Sequence, residues 1–89
     1  MSQRTLIVRG PTYFSDLDES AFFDWLQSIP CVKGVTGHVR DLHIALKRPA
    51  TLRDLTELES LLRRYRMPLK ALEQLRSAKN AGWFQRFSN

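Results

Sequence analysis

The chain has 89 residues, 43% of them hydrophobic, 26% charged and 10% aromatic. That composition fits one folded domain and excludes a disordered tail, a collagen-like repeat and a disulfide scaffold. No apolar run is long enough to cross a bilayer, and the one cysteine, Cys31, allows no internal disulfide. The net charge is +5, unevenly spread: residues 61–89 carry seven basic residues and one acid, Glu73. Residues 1–31 carry two basic and four acidic residues. Such asymmetry points to an acidic or polyanionic partner and says nothing about fold.

The apolar run Leu6-Ile7-Val8 is too short for the core of a secretory signal, so a cytoplasmic protein of bacterial type with a reduced Cys31 is expected. The same run, closed by Gly10-Pro11, predicts a strand over Thr5–Arg9, central or buried on both faces. Ser15 or Asp18 caps a first helix, and Asp16, Asp18 and Glu19 suit its positive end. Phe22, Trp25, Leu26 and Ile29 form one core-facing stripe, Phe23 lies beside it, and Pro30 ends the helix. Residues 31–37 read as a second strand, with Gly34 marking a bulge and Gly37 a turn.

Residues 41–47 alternate cleanly, with Leu42, Ile44 and Leu46 on one side and His43 and Ala45 on the other, so a hairpin over residues 37–40 is expected. Thr51 and Asp54 form a capping box for a second helix. Leu52, Leu55, Leu58, Leu61, Leu62 and Tyr65 give that helix the strongest apolar stripe in the chain, running to about Arg66. Residues 69–72 read as a short fourth strand or a loop. Leu72, Leu75 and Ala78 suggest a last helical stretch restarted at Ser77, and Trp83, Phe84 and Phe87 supply apolar area for the tail to dock.

The order β-α-β-β-α-(β)-α predicts one α+β domain over residues 1–89: a ferredoxin-like two-layer sandwich, with an antiparallel sheet and both main helices on one face. Fold alone assigns no function.

Reactive constellations are sparse. No zinc spacing is present. Asp16-Leu17-Asp18-Glu19-Ser20 begins like a calcium loop, but Ala21 and Gln27 stand where glycine and a bidentate glutamate belong. There is no nucleophile elbow and no glycine-rich phosphate loop. Cys31 and His43 are the one thiol–imidazole pair to test, and a hairpin turning near Val39 sets them about 13 Å apart at the strand rise. His38 reads as turn surface. No catalytic, metal or cofactor residue is expected, and neither an enzyme nor a membrane partner.

What remains is contact with another macromolecule, most simply a protein or a second copy of the chain. The candidate contact residues are Arg63, Arg64, Arg66, Lys70, Arg76 and Lys79, with Trp83 and Phe84. Trp83 and Phe84 are adjacent, which leaves two expectations: the tail closes the core as a buried lid, or one ring anchors it while the other faces a partner and joins Tyr13, Phe14 and Phe23 in an apolar patch. The alternative is a nucleic-acid binder using the basic C-terminal third, Arg86 included. It is weakened because the first and third strands carry no Phe or Tyr for base stacking. A small-molecule regulatory domain comes third.

Overall fold

Three short segments with alternating burial build the sheet. The structure, a computed structural model, describes residues 4–85; Arg86 and Phe87 lie outside the described residues. Strands β1 (Arg4–Arg9), β2 (Val32–His38) and β3 (Asp41–Leu46) form an antiparallel sheet in the order β1-β3-β2. Helix α1 (Asp16–Ser28) links β1 to β2, and α2 (Leu52–Arg64) follows β3. A 3-10 helix (Leu69–Leu75) and a single turn, α3 (Ala81–Phe84), complete the described chain. The domain is therefore α+β with a three-stranded sheet. The fourth strand of the ferredoxin-like expectation is absent among the described residues.

The second sequence option at 69–72, a loop, is not met either, because the segment is helical. Pro68 caps it in extended backbone, and it runs through Lys70, Ala71 and Glu73 without a β-branched residue. The 3-10 helix packs against β1 and α2 and buries Leu72. Its Gln74 reaches the outer edge of β1, where Oε1 accepts from Ile7 N–H at 3.1 Å and Nε2 donates to Ile7 C=O at 2.7 Å.

β1 lies at the edge of the sheet, not at its centre. Leu6 and Val8 are buried, whereas Ile7 is 43% exposed. On β3 the predicted alternation holds, with Leu42, Ile44 and Leu46 buried. The hairpin turn is Val39-Arg40, so His43 stands opposite Thr36, and His38 ends a strand instead of lying in a turn. The bulge falls between Val32 and Gly34, as predicted, while Gly37 stays within the strand.

Both helices cover the same side of the sheet. Phe22 and Leu26 of α1, and Leu55, Leu58, Leu61 and Leu62 of α2, share one core with Leu6, Val8, Leu42, Ile44 and Leu46. Each fully buried leucine side chain is worth about 1.5–3 kcal/mol of transfer free energy. Ser15 is the cap of α1, its hydroxyl accepting from Asp18 N–H at 3.1 Å. The Thr51–Asp54 capping box is present at the start of α2.

Asp54 does more than cap. It is 1% exposed, and its Oδ2 also accepts from Arg48 Nη1 at 2.7 Å. Burial alone would raise its pKa; the Thr51 N–H and hydroxyl and the Arg48 guanidinium outweigh that and hold it below the ordinary value. The buried Cys31 thiol is pushed up to about 11, first by burial and then by the charge of Asp54. Cys31 sits in the core while His43 lies on the opposite face of the sheet, so they do not form a reactive pair.

Candidate functional site

The end of the sheet where β1 finishes gathers three segments. They are the loop 10–15, the start of α1 and the chain leaving α2. Between them runs an open cleft with two lobes of about 450 and 520 Å³, which share Thr12, Phe14, Tyr65 and Arg66. Arg9 lines one lobe; Arg64 and Asp18 line the other.

Phe14 projects at the mouth and is 91% exposed. Its backbone is nevertheless fixed, because Phe14 N–H donates to Asp18 Oδ2 at 3.0 Å while Asp18 N–H donates to the Ser15 cap. Leu17, three residues further on, is 82% exposed. A large apolar ring held in water by a pinned backbone is a pre-organised anchor, which lowers the entropy cost of binding. The floor beneath is aromatic: Tyr65 packs on Phe22 with ring centres 4.9 Å apart, and Tyr13 on Phe22 at 5.6 Å. Tyr65 hydroxyl donates to the Asp18 carbonyl at 3.4 Å. Both phenols have pKa values raised, first by burial and then by the acids at the start of α1.

Arg66 occupies the wall in an unusual conformation. It has φ 58°, in the left-handed region. The cause is the way α2 ends: Met67 N–H donates to Leu62 C=O at 2.8 Å and Arg66 N–H to Arg63 C=O at 3.2 Å. This is the two-bond Schellman closure, whose left-handed position is usually glycine. A side chain there costs roughly 1–2 kcal/mol. Strain of this kind is retained at sites of function more often than elsewhere.

The sequence candidates separate into groups. Arg64 and Arg66 line the cleft. Arg63 turns away and pairs with Glu59, four residues back on the same helix, at 2.9 Å. Arg76 pairs with Glu73 at 3.4 Å and lies over the Phe84 ring at 5.7 Å. Lys70 and Lys79 are exposed and lie outside the cleft. Trp83 and Phe84 are both buried, stacked edge-on at 4.9 Å. Of the two expectations for the tail, the buried lid is the one found, and the division between an anchor and an outward ring is not. Both rings join the hydrophobic core, and Trp83 Nε1 also donates to Thr56 Oγ1 of α2 at 3.4 Å. Tyr13 and Phe23 are partly buried as well, which leaves Phe14 as the one fully presented aromatic among the described residues. Arg9 was missed as a candidate. A basic residue closing a strand just before Gly10-Pro11 was the available signal.

Among the described residues no three metal-ligating side chains converge, and no helix is long and apolar enough to cross a membrane. The class these features define is a small α+β domain with a basic, aromatic-floored surface cleft. Comparison of the chain with protein-family models, with curated proteins and with solved structures finds no match in any of the three.

Proposed function

We propose that this protein is a non-catalytic binding module, and that its cleft docks an acidic segment of a partner protein. The observation that carries this reading is Phe14, 91% exposed on a backbone pinned by Asp18 and bordered by Arg64 and Arg66 in the same lobe. Aromatic and arginine side chains are the ones that dominate protein interfaces. The arginines select acid at the rim and quicken encounter, while the ring supplies the apolar anchor. A second copy of the chain is the poorer match, because two molecules of charge +5 repel.

A nucleic-acid strand is the second reading, favoured by the same arginines. Two features weigh against it. Asp18 lines the cleft, and one presented ring offers no series of stacking platforms. For the frame that holds the site we favour a ferredoxin-like arrangement whose fourth strand is replaced by the 3-10 helix. The order β1-β3-β2 and the contact of Gln74 with Ile7 support it.

The test is a fluorescence-anisotropy screen of labelled acidic peptides, each with one central Leu, Phe or Trp, beside labelled oligo-dT and oligo-U. The expected result is salt-sensitive binding of a peptide subset, lost in Phe14→Ser. Binding of the oligonucleotides alone would replace this reading with the second, and binding of neither probe class would remove both.

A further inference from the structure

We propose that His38 and His43 form a two-imidazole site for a divalent transition-metal ion of the copper(II), nickel(II), zinc(II) group, on the sheet face away from the helices. The chain has two histidines, and the fold brings both together. Their ring centres are 4.3 Å apart, tilted by 51°. The register explains the meeting: Thr36 faces His43 and His38 faces Asp41, so the histidines are diagonal cross-strand neighbours on one face. Diagonal positions lie about 7–8 Å apart at the backbone, a span two imidazoles can close over one ion bound at about 2 Å from each nitrogen.

Two further observations favour a ligand over a packing role. Neither imidazole has a hydrogen bond or ion pair with any described residue, so the ring nitrogens are not committed elsewhere. The platform beneath is rigid, since β3 is the central strand and pairs on both sides. His43 is half-buried and His38 exposed at the strand end, which leaves a metal ion open to solvent on one side. No third protein donor converges on the pair among the described residues. The remaining positions fall to water, an arrangement that copper(II) in tetragonal geometry accepts most readily and that ranks it above nickel(II) and zinc(II). The surface lies outside the Phe14 cleft, and the proposal does not depend on the binding reading above.

The experiment titrates the full chain with copper(II), nickel(II) and zinc(II) chlorides by calorimetry and records the copper(II) electron paramagnetic resonance spectrum. The expected result is one copper(II) per chain with two equatorial nitrogens, and at least tenfold weaker binding in His38→Asn and in His43→Asn separately. Both positions are on the solvent side of the sheet, so each variant should retain the wild-type circular dichroism and melting temperature without metal. Metal binding should raise the melting temperature of the wild type and not of the double variant. Equal copper(II) affinity in the wild type and the double variant overturns the proposal, as does a one-nitrogen spectrum or a loss confined to a single histidine.

Discussion

The side-chain amide of Gln74 makes both hydrogen bonds that a neighbouring strand would offer Ile7, accepting from its N–H and donating to its C=O. One residue of a 3-10 helix thereby closes part of a sheet edge that is otherwise open to pairing with another chain. Replacing Gln74 by Ala returns both groups to water and should cost about 1 kcal/mol, as for a typical net hydrogen bond in an exposed setting. Urea unfolding measures the loss. Light scattering of the same variant should show association that rises with concentration, because the Ile7 N–H and C=O are then open to pairing with another chain.

Val39 should be a point of strain without benefit to stability. It is a β-branched residue at φ 57° in the two-residue turn between β2 and β3, and it is fully exposed. Positive φ is a true outlier for such a side chain, and hairpin turns favour Gly or Asn there. Val39→Gly is expected to raise stability by about 1 kcal/mol in thermal or urea unfolding. A lower stability would show that the turn gains something from the valine that its exposure does not reveal.

Asp54 gives the protein an acid limb. Its folded pKa lies below the ordinary 3.8, so its carboxylate stabilises the fold above that value. The contribution is lost as pH falls below about 4 and through the folded value. A melting-temperature profile from pH 6 to pH 2 should fall below pH 4. Asp54→Asn should start lower and fall less. Asp54→Ala removes the partner of Arg48 and of the Thr51 N–H together, and should cost roughly 2–3 kcal/mol.

Cys31 gives the corresponding alkaline limb. Burial raises its pKa from 9.0 to about 11. Below 9 the thiol is neutral in both folded and unfolded chains. As pH climbs from 9 towards 11 the unfolded chain ionises first, and stability falls. Cys31→Ala should flatten that part of the profile. In the native protein at neutral pH the thiol should react with a disulfide reagent only as fast as the chain opens, since it is both buried and protonated.

The parts of the fold legible in the sequence were those set by local pattern. The stripe from Leu55 to Leu62, the alternation of Leu42, Ile44 and Leu46, the Thr51–Asp54 box and the bulge beside Gly34 all follow from spacing and side-chain shape. Residues 69–72 read as a short strand or a loop and are neither: Leu69, Leu72 and Leu75 recur every three residues, the 3-10 period, and packing against β1 and α2 holds that turn in place. The candidate site was legible in part. Arg64 and Arg66 stood out by charge, but their juxtaposition with Phe14 and Arg9 joins positions some fifty residues apart, and only the packing of α2 beside α1 produces it. The burial of Trp83 and Phe84 was left open by the sequence for the same reason, since both rings join a core assembled from distant parts of the chain.

The direct test of the central claim is Arg66→Gly, measured for stability and for affinity toward an acidic peptide selected by the wild type. Glycine relieves the left-handed position that closes α2 and removes one cation from the cleft wall. The account predicts that stability rises by roughly 1 kcal/mol while affinity falls several-fold, with a weaker salt dependence. Unchanged affinity in a folded, stabilised variant would contradict the assignment of this cleft as the docking site.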